Sequence, residues 1–332
     1  MWFETLTGFA ETSPQQVREN ITVTGNIMQS RVNERALVCG ELETPSLGEL
    51  RERARSSRHA SGDLSVGEVV ADVRRLHADE ANAGTLFQVA SQFNLLEMVS
   101  PDVTPERGVG IYENDPTQGP ACAIACGAGT IYRNYFVPVN GRTGQSAENQ
   151  IDCLAGLGAA LGNDENRLWA MRNGYAWPTQ SGLAEVSRRL RASSEDDIDA
   201  LRRLLRIGIH WDTQVTIDNC EHTVSQAYCS ALPVAYVPGL ERSLWAEFAR
   251  LVLEASYEAT ICAAILNSVR SGNNRLFLTL LGGGAFGNDT GWIMGAIHRA
   301  LSLYRSTGLE VVIVSYGAPN LYVRQLISRI RN

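Results

Sequence analysis

The chain of 332 residues contains no lysine; all 29 of its basic side chains are arginine. That absence removes whole mechanisms: a Schiff-base lysine, a Walker-A lysine and a kinase-type phosphate lysine are all impossible. Long apolar runs are also missing, and none approaches the roughly 18–20 residues that span a membrane. The opening MWFETLTGFAETSPQ has no basic segment followed by an apolar one. No secretory signal is expected, and the sequon at Asn20-Ile21-Thr22 carries no weight. The seven cysteines are scattered and odd in number, which fits a reducing cytosol better than a disulfide framework. Neither Cys122/Cys126 nor Cys220, His222 and Cys229 reproduces a paired CxxC zinc pattern, so no metal and no cofactor are expected. A net charge of −7 argues against gripping a nucleic-acid backbone, while leaving room for one local pocket. The expectation is a cytoplasmic protein with no nucleic-acid and no membrane partner.

What is present is an α/β pattern. Ile21–Met28 and Arg35–Leu42 are β-rich around a polar turn at Asn33-Glu34, and Arg51–Asp63 is a Ser/Arg-rich exposed loop. Leu86–Ala90 reads as a buried strand. Gly119-Pro120 starts a helix through Cys122–Ala128, since proline suits a first helical turn. Ala147–Leu161 is helical, and Leu183–Leu190 and Asp196–Leu205 are amphipathic. Ile207–Val215 and Ala231–Val237 are strands, and Trp245–Val269 is a long buried helix. The end alternates: strand Leu276–Leu281, loop Gly282–Gly287, helix Trp292–Tyr304, strand Val311–Ser315, helix Leu321–Ile330. Strand–helix–strand with short connections implies a parallel unit.

LTLLGGGAFGND is the strongest chemical signal. Successive glycines let the backbone approach a ligand with no Cβ in the way. The following helix starts near Asp289-Thr290, and its orphan N–H groups and partial positive charge suit a phosphate. A tight turn with close strand–helix packing is the alternative. The spacing is not GxGxxG.

These residues resemble the last phosphate loop of macrodomains and of poly(ADP-ribose) glycohydrolase-like folds. The strings LFQVASQFNLLE, TQGPACA, SALPVAY and GGGAFGN, in that order, extend the resemblance over roughly residues 70–320, to a divergent branch associated with removing ADP-ribose from arginine. The resemblance implies a mixed, mostly parallel sheet with helices on both faces. It divides the chain into an N-terminal extension over 1–70 and an ADP-ribose-binding domain over 71–332, with a helical insertion around 145–206. ADVRRL (Ala71–Leu76) is similar to the family's GDI strand opening. Gly282, Gly283, Gly284, Ala285, Phe286, Gly287 and Asn288 would wrap a diphosphate. Asn94 would sit at the distal ribose with Phe93 beside it, Glu97 would reach ribose hydroxyls, and Gln118 and Tyr316 would complete the binding set. Phe87 stands where an adenine-reading acid is usual, leaving Asp79 or Glu80 for that role. ADP-ribose is the implied ligand, and an ADP-ribosylated protein, ubiquitin among the possibilities, the implied substrate.

Breaking an N-glycosidic bond to ribose needs charge stabilisation at the anomeric carbon and a base for water, both work for carboxylates. Asp212 in IHWDTQVT ends an apparent strand and is the first candidate. Asp115 and Glu113, in the loop before the Gln118 helix, are the others. His222 is a weaker acid–base candidate. The resulting expectation is an ADP-ribosyl hydrolase, with a non-catalytic ADP-ribose reader as the alternative. An NAD-dependent enzyme is opposed by the missing GxGxxG.

Overall fold

The computed structural model describes residues 1–59 and 61–331. A seven-stranded sheet organises it, with strands β1 (Glu41–Glu43), β2 (Ser65–Val70), β3 (Leu86–Ala90), β4 (Gly208–Gln214), β5 (Thr223–Cys229), β6 (Arg275–Leu278) and β7 (Glu310–Ser315). Their spatial order is β1-β4-β5-β3-β6-β7-β2. The pairs β5–β3, β3–β6, β6–β7 and β7–β2 are parallel, whereas β4 runs antiparallel to both β1 and β5. The fold is therefore mixed α/β with a mostly parallel sheet. Both edge strands come from the first 70 residues, the stretch expected to be an N-terminal extension. A separate small antiparallel sheet of Ile21–Thr24, Ile27–Ser30 and Ala36–Val38 precedes them, the first two strands divided at Gly25, whose φ is 60°.

Nine helices matter here: α1 (Leu47–Ser56), α2 (Val73–Ala78), α3 (Gln118–Ala125), α4 (Gly127–Tyr135), α5 (Gln180–Ala192), α6 (Glu195–Arg202), α7 (Arg242–Ser271), α8 (Thr290–Leu303) and α9 (Leu321–Arg331). Successive β3 residues show how they cover both faces, because side chains alternate along a strand. Phe87 stacks on His77 of α2 at 3.8 Å, while Gln88 turns the other way and donates to Thr260 of α7 at 3.0 Å. α7 is buried along most of its length, from Trp245 to Asn267, as its apolar sequence requires. No helix among the described residues is long and apolar enough to cross a membrane.

Several sequence expectations fail for local reasons. Arg51 does not open an exposed loop: it lies in α1, which starts from a capping box between Ser46 and Glu49. Arg51 itself is buried, clamped by Glu258 and Asp199 at 2.6 Å each. ADVRRL is not a strand opening, since β2 has already ended and Asp72 caps α2 through the Arg74 amide. Of Ala147–Leu161 only Ala155–Ala160 is helical. Before it, polar side chains engage the backbone instead: Asn149 donates to Val139 O and Asp152 accepts from the Leu154 amide. Ala231–Val237 is not a strand but a turn: Pro233 brings no N–H to a ladder, and the Ala235 amide donates to Phe286 O of the glycine loop. Residues 145–206 contain a β-hairpin, Trp169–Arg172 with Tyr175–Pro178, as well as α5 and α6.

Candidate functional site

In parallel sheets, ligands sit beyond the carboxyl ends of the strands. Here the ends of β3 and β6 open onto a cleft of about 210 Å³. Its walls are the β3 exit (Ala90–Gln92), Glu97, the start of α3, Tyr175, Tyr236 and the glycine loop. A second cleft of about 310 Å³ shares Thr279, Leu280 and Gly284 with the first and continues toward the end of β7, where Tyr316 stands 84% exposed. Neither cleft is lined by a basic side chain among the described residues.

The glycine loop follows β6. Gly282 and Gly287 have φ of +73° and +69°, which glycine adopts without strain, and a Cβ on Gly282 would stand 2.5 Å from that of Ala231. The loop closes on itself through Gly287 N–H to Gly284 O and Asn288 N–H to Gly282 O. Asn288 is buried and pins the loop by donating to Leu232 O at 2.8 Å. The Tyr257 hydroxyl of α7 braces its root, donating to Thr279 O and accepting from the Leu281 amide, both at 2.8 Å. The amides of Gly284, Ala285 and Phe286 donate to no acceptor among the described residues, and a Cβ on Gly284 would meet open space. These amides are what the loop offers an anion. The start of α8 offers less than expected: Asp289 caps it, accepting from Gly291 N–H at 2.8 Å, and its carboxylate occupies the helix end that the sequence suggested for a phosphate.

Opposite lies Glu97, 2% exposed. The Arg133 guanidinium stands 3.5 Å from Oε1, while Oε2 has no hydrogen-bond partner among the described residues. Burial pushes the Glu97 carboxyl up to about 7, with Arg133 and the Tyr112 hydroxyl pulling it partly back. Arg133 is fully buried. It donates to Leu95 O at 3.0 Å and Thr130 at 3.2 Å, and lies 3.8 Å over the Tyr228 ring. The start of α3 carries no side-chain cap, and its Gly119 packs against the Ala90 carbonyl where a Cβ would collide. Gln118 locks the same junction, accepting from Ala90 N–H at 2.9 Å and donating to Gln88 O at 2.8 Å. Asp115 lines the mouth, half-buried, with Oδ1 accepting from Thr117 N–H at 2.9 Å. Tyr175, Tyr236 and Phe286 cluster there with ring centroids 5.3–5.5 Å apart.

The cleft thus gathers Glu97, Asp115, Gln118, Gly282, Gly284, Ala285 and Phe286. Gly283 and Tyr316 line the adjoining cleft. Gly287 and Asn288 shape the loop without lining either cleft, and the remaining residues expected at the site are elsewhere. Asp212 sits at the opposite edge of the sheet, because β4 is antiparallel: its end meets the start of β5, and the Asp212 amide donates to Ser225. There Asp212 pairs with Arg270 at 2.5 Å. Asn94 does not face the cleft; it is fully buried, donating to Gln150 at 2.8 Å and accepting from Leu96 N–H at 3.1 Å. Phe93 packs in the core. Glu113 is exposed and accepts from the Trp2 amide at 3.2 Å. His222 bonds to His77 O at 2.8 Å, and no cluster of three or more metal-ligating side chains occurs among the described residues. Tyr175 and Arg133 went unpredicted. Tyr175 lies in the insertion with no local signal, whereas an arginine inside the apolar GAGTIYRNYF run marks a buried charge that needs a partner.

No family model and no curated protein matches the chain. Among solved structures it is similar to a point mutant of poly(ADP-ribose) glycohydrolase from Deinococcus radiodurans in complex with ADP-ribose, with TM-score 0.45 and 14% identity, over 88% of this chain and 92% of that one. It is similar as well to poly(ADP-ribose) glycohydrolase from Thermomonospora curvata, with TM-score 0.45 and 12% identity, over 95% of each chain. The same enzyme bound to the inhibitor ADP-HPD gives TM-score 0.44 and 12% identity over the same shares.

Proposed function

We propose that the protein is an ADP-ribosyl hydrolase that removes mono-ADP-ribose from modified protein, with arginine as the acceptor residue. The observation that carries this reading is the pairing, across one cleft, of backbone donors that meet no protein acceptor with a buried carboxyl of which one oxygen has no partner among the described residues. The Gly284, Ala285 and Phe286 amides suit a diphosphate in a chain without lysine. Glu97 suits proton transfer near neutral pH. In the reaction the bond from the anomeric carbon to the guanidine nitrogen breaks, and Glu97 passes its proton to that nitrogen. Water adds to the anomeric carbon and gives a proton to the Asp115 carboxylate. The aromatic cluster of Tyr175, Tyr236 and Phe286 beside Asp115 suits a planar guanidinium, which stacks on rings and pairs with carboxylates.

The test is incubation with proteins carrying ADP-ribose on arginine, serine or glutamate, ADP-ribosylated ubiquitin included, with free ADP-ribose measured. Release from the arginine-linked set supports the reading. Release only from another linkage overturns the arginine assignment. ADP-ribose binding without release from any makes the protein a reader.

A further inference from the structure

Glu11 lies far from the cleft in sequence and outside its walls, yet it grips the turn from which the cleft's acidic machinery is built. Oε1 accepts from the Val109 amide at 3.0 Å and from the Tyr135 hydroxyl at 2.6 Å, and Oε2 accepts from the Gly110 amide at 2.6 Å. The turn is shaped for this carboxylate. A Cβ on Gly108, whose φ is +89°, would stand 2.5 Å from Glu11 Oε2, and one on Gly110 would stand 2.7 Å from it. From the gripped amides the chain continues as a short 3-10 turn, with Tyr112 N–H donating to Val109 O and Asp115 N–H to Tyr112 O, both at 3.1 Å. Tyr112 is buried, and its hydroxyl accepts from the Glu97 amide at 3.0 Å. Two hydrogen-bonded routes thus leave one carboxylate, to Glu97 through Tyr112 and to Asp115 through the turn.

We infer that Glu11 is a positioning residue: by fixing the turn at 108–110 it sets the placement of both Glu97 and Asp115 in the cleft. The inference rests on the hydrolase reading for its kinetic consequence. A neutral side chain of the same length keeps one acceptor oxygen, and a short one keeps neither. A misplacement of about 1 Å at reacting groups costs on the order of 10²-fold in rate. Tyr135 supplies the control. Tyr135→Phe removes a partner of Glu11 and leaves both backbone contacts in place.

The full chain is compared as wild type, Glu11→Ala, Glu11→Gln and Tyr135→Phe, on arginine-linked mono-ADP-ribosylated protein. In Glu11→Ala, kcat is expected to fall about 10²-fold while KM and the Kd for ADP-ribose stay near wild type. Hydrogen–deuterium exchange over residues 108–115 should accelerate in the same variant. Glu11→Gln should fall between it and wild type, and decides by the same readouts should Glu11→Ala not fold. Tyr135→Phe should lower Tm and keep kcat. Unchanged exchange over 108–115 on loss of Glu11 overturns the inference, as does an equal fall of kcat in Tyr135→Phe. Should the wild type release no ADP-ribose, the hydrolase reading fails by itself. The exchange data and the Glu97 carboxyl titration followed by 13C NMR then decide for Glu11, an unshifted titration counting against it.

Discussion

The Arg133 guanidinium lies 3.5 Å from one oxygen of Glu97, and the other oxygen of that carboxyl meets no donor among the described residues. The pair is lopsided. The charge that would hold Glu97 ionised stands at the edge of hydrogen-bond reach, and burial on the remaining sides favours the protonated form. A carboxyl in that balance carries a proton at pH values where an ordinary glutamate has lost it.

The first prediction follows from this. With the Glu97 carboxyl pushed up to about 7, its protonated fraction falls as pH rises through that value. If the proton goes to the leaving nitrogen, kcat/KM falls on the alkaline side of about pH 7. Glu97→Gln should lose about 10²–10⁴-fold in kcat with ADP-ribose binding retained. Rate measurements across pH 5–9 check it, and a rate that climbs through pH 7 would make Glu97 a base rather than an acid.

Asp212→Asn should leave both ADP-ribose binding and hydrolysis at wild-type levels. Asp212 stands at the far edge of the sheet, and its ion pair with Arg270 is 34–40% exposed, worth about 0–1 kcal/mol. Its φ of +52° favours Asn over Ala as the replacement, because a short polar side chain tolerates the left-handed region. Denaturant midpoints and turnover assays measure both quantities. Loss of turnover with the fold intact would return this residue to the chemistry.

Gly284→Val should weaken ADP-ribose binding and leave the apo protein's Tm close to wild type. The added side chain would enter open space at the cleft wall, and Gly284 is not held at positive φ. Ligand at a hundredfold excess over Kd should stabilise wild type by about 2.7 kcal/mol and the variant by much less. Gly282→Val should instead destabilise the apo fold, since it meets Ala231 and sits at φ +73°. Equal thermal shifts with ligand in wild type and Gly284→Val would show the loop to be a turn and nothing more.

His77 should make the fold acid-sensitive. It is fully buried against Phe87, with Nδ1 2.8 Å from Val73 O, and burial lowers its pKa from 6.5 to about 4. The unfolded chain therefore binds the proton first as pH falls. Stability from this group is complete above about pH 6.5 and is lost progressively toward pH 4, by roughly 3 kcal/mol at about 1.4 kcal/mol per pH unit. Glu97 works in the opposite sense, so the comparison must be with a variant. In urea unfolding, the stability at pH 5 relative to that at pH 7 should be higher in His77→Phe than in wild type, and identical values would refute the assignment.

The elements that report themselves in the sequence are those whose stability is local or whose face is apolar throughout. The strand Leu86–Ala90, the long helix through Trp245–Val269 and the closing strand–loop–helix–strand run lie where periodicity and glycine placement put them. The glycine loop was legible because three glycines in succession have few other uses. The capping box of Ser46 and Glu49 is an equally local signal, and it starts the helix that carries Arg51.

What the sequence by itself determined is the chemistry on offer. A chain without lysine leaves backbone amides, arginine and neutral polar side chains to hold an anion, and in the loop 282–287 the amides of Gly284, Ala285 and Phe286 meet no acceptor among the described residues. Tertiary structure alone decided which carboxylates share the cleft with that loop. Asp212 and Glu97 are both acids close to strand ends in the sequence, and nothing local separates them. The direction of β4 does, because an antiparallel strand delivers its last residue to the opposite edge of the sheet. The β4–β5 hairpin is local, but which end of the sheet it brings Asp212 to is fixed by the parallel pairing of β5 with β3, far apart in the chain, and the burial that sets the Glu97 proton is likewise tertiary.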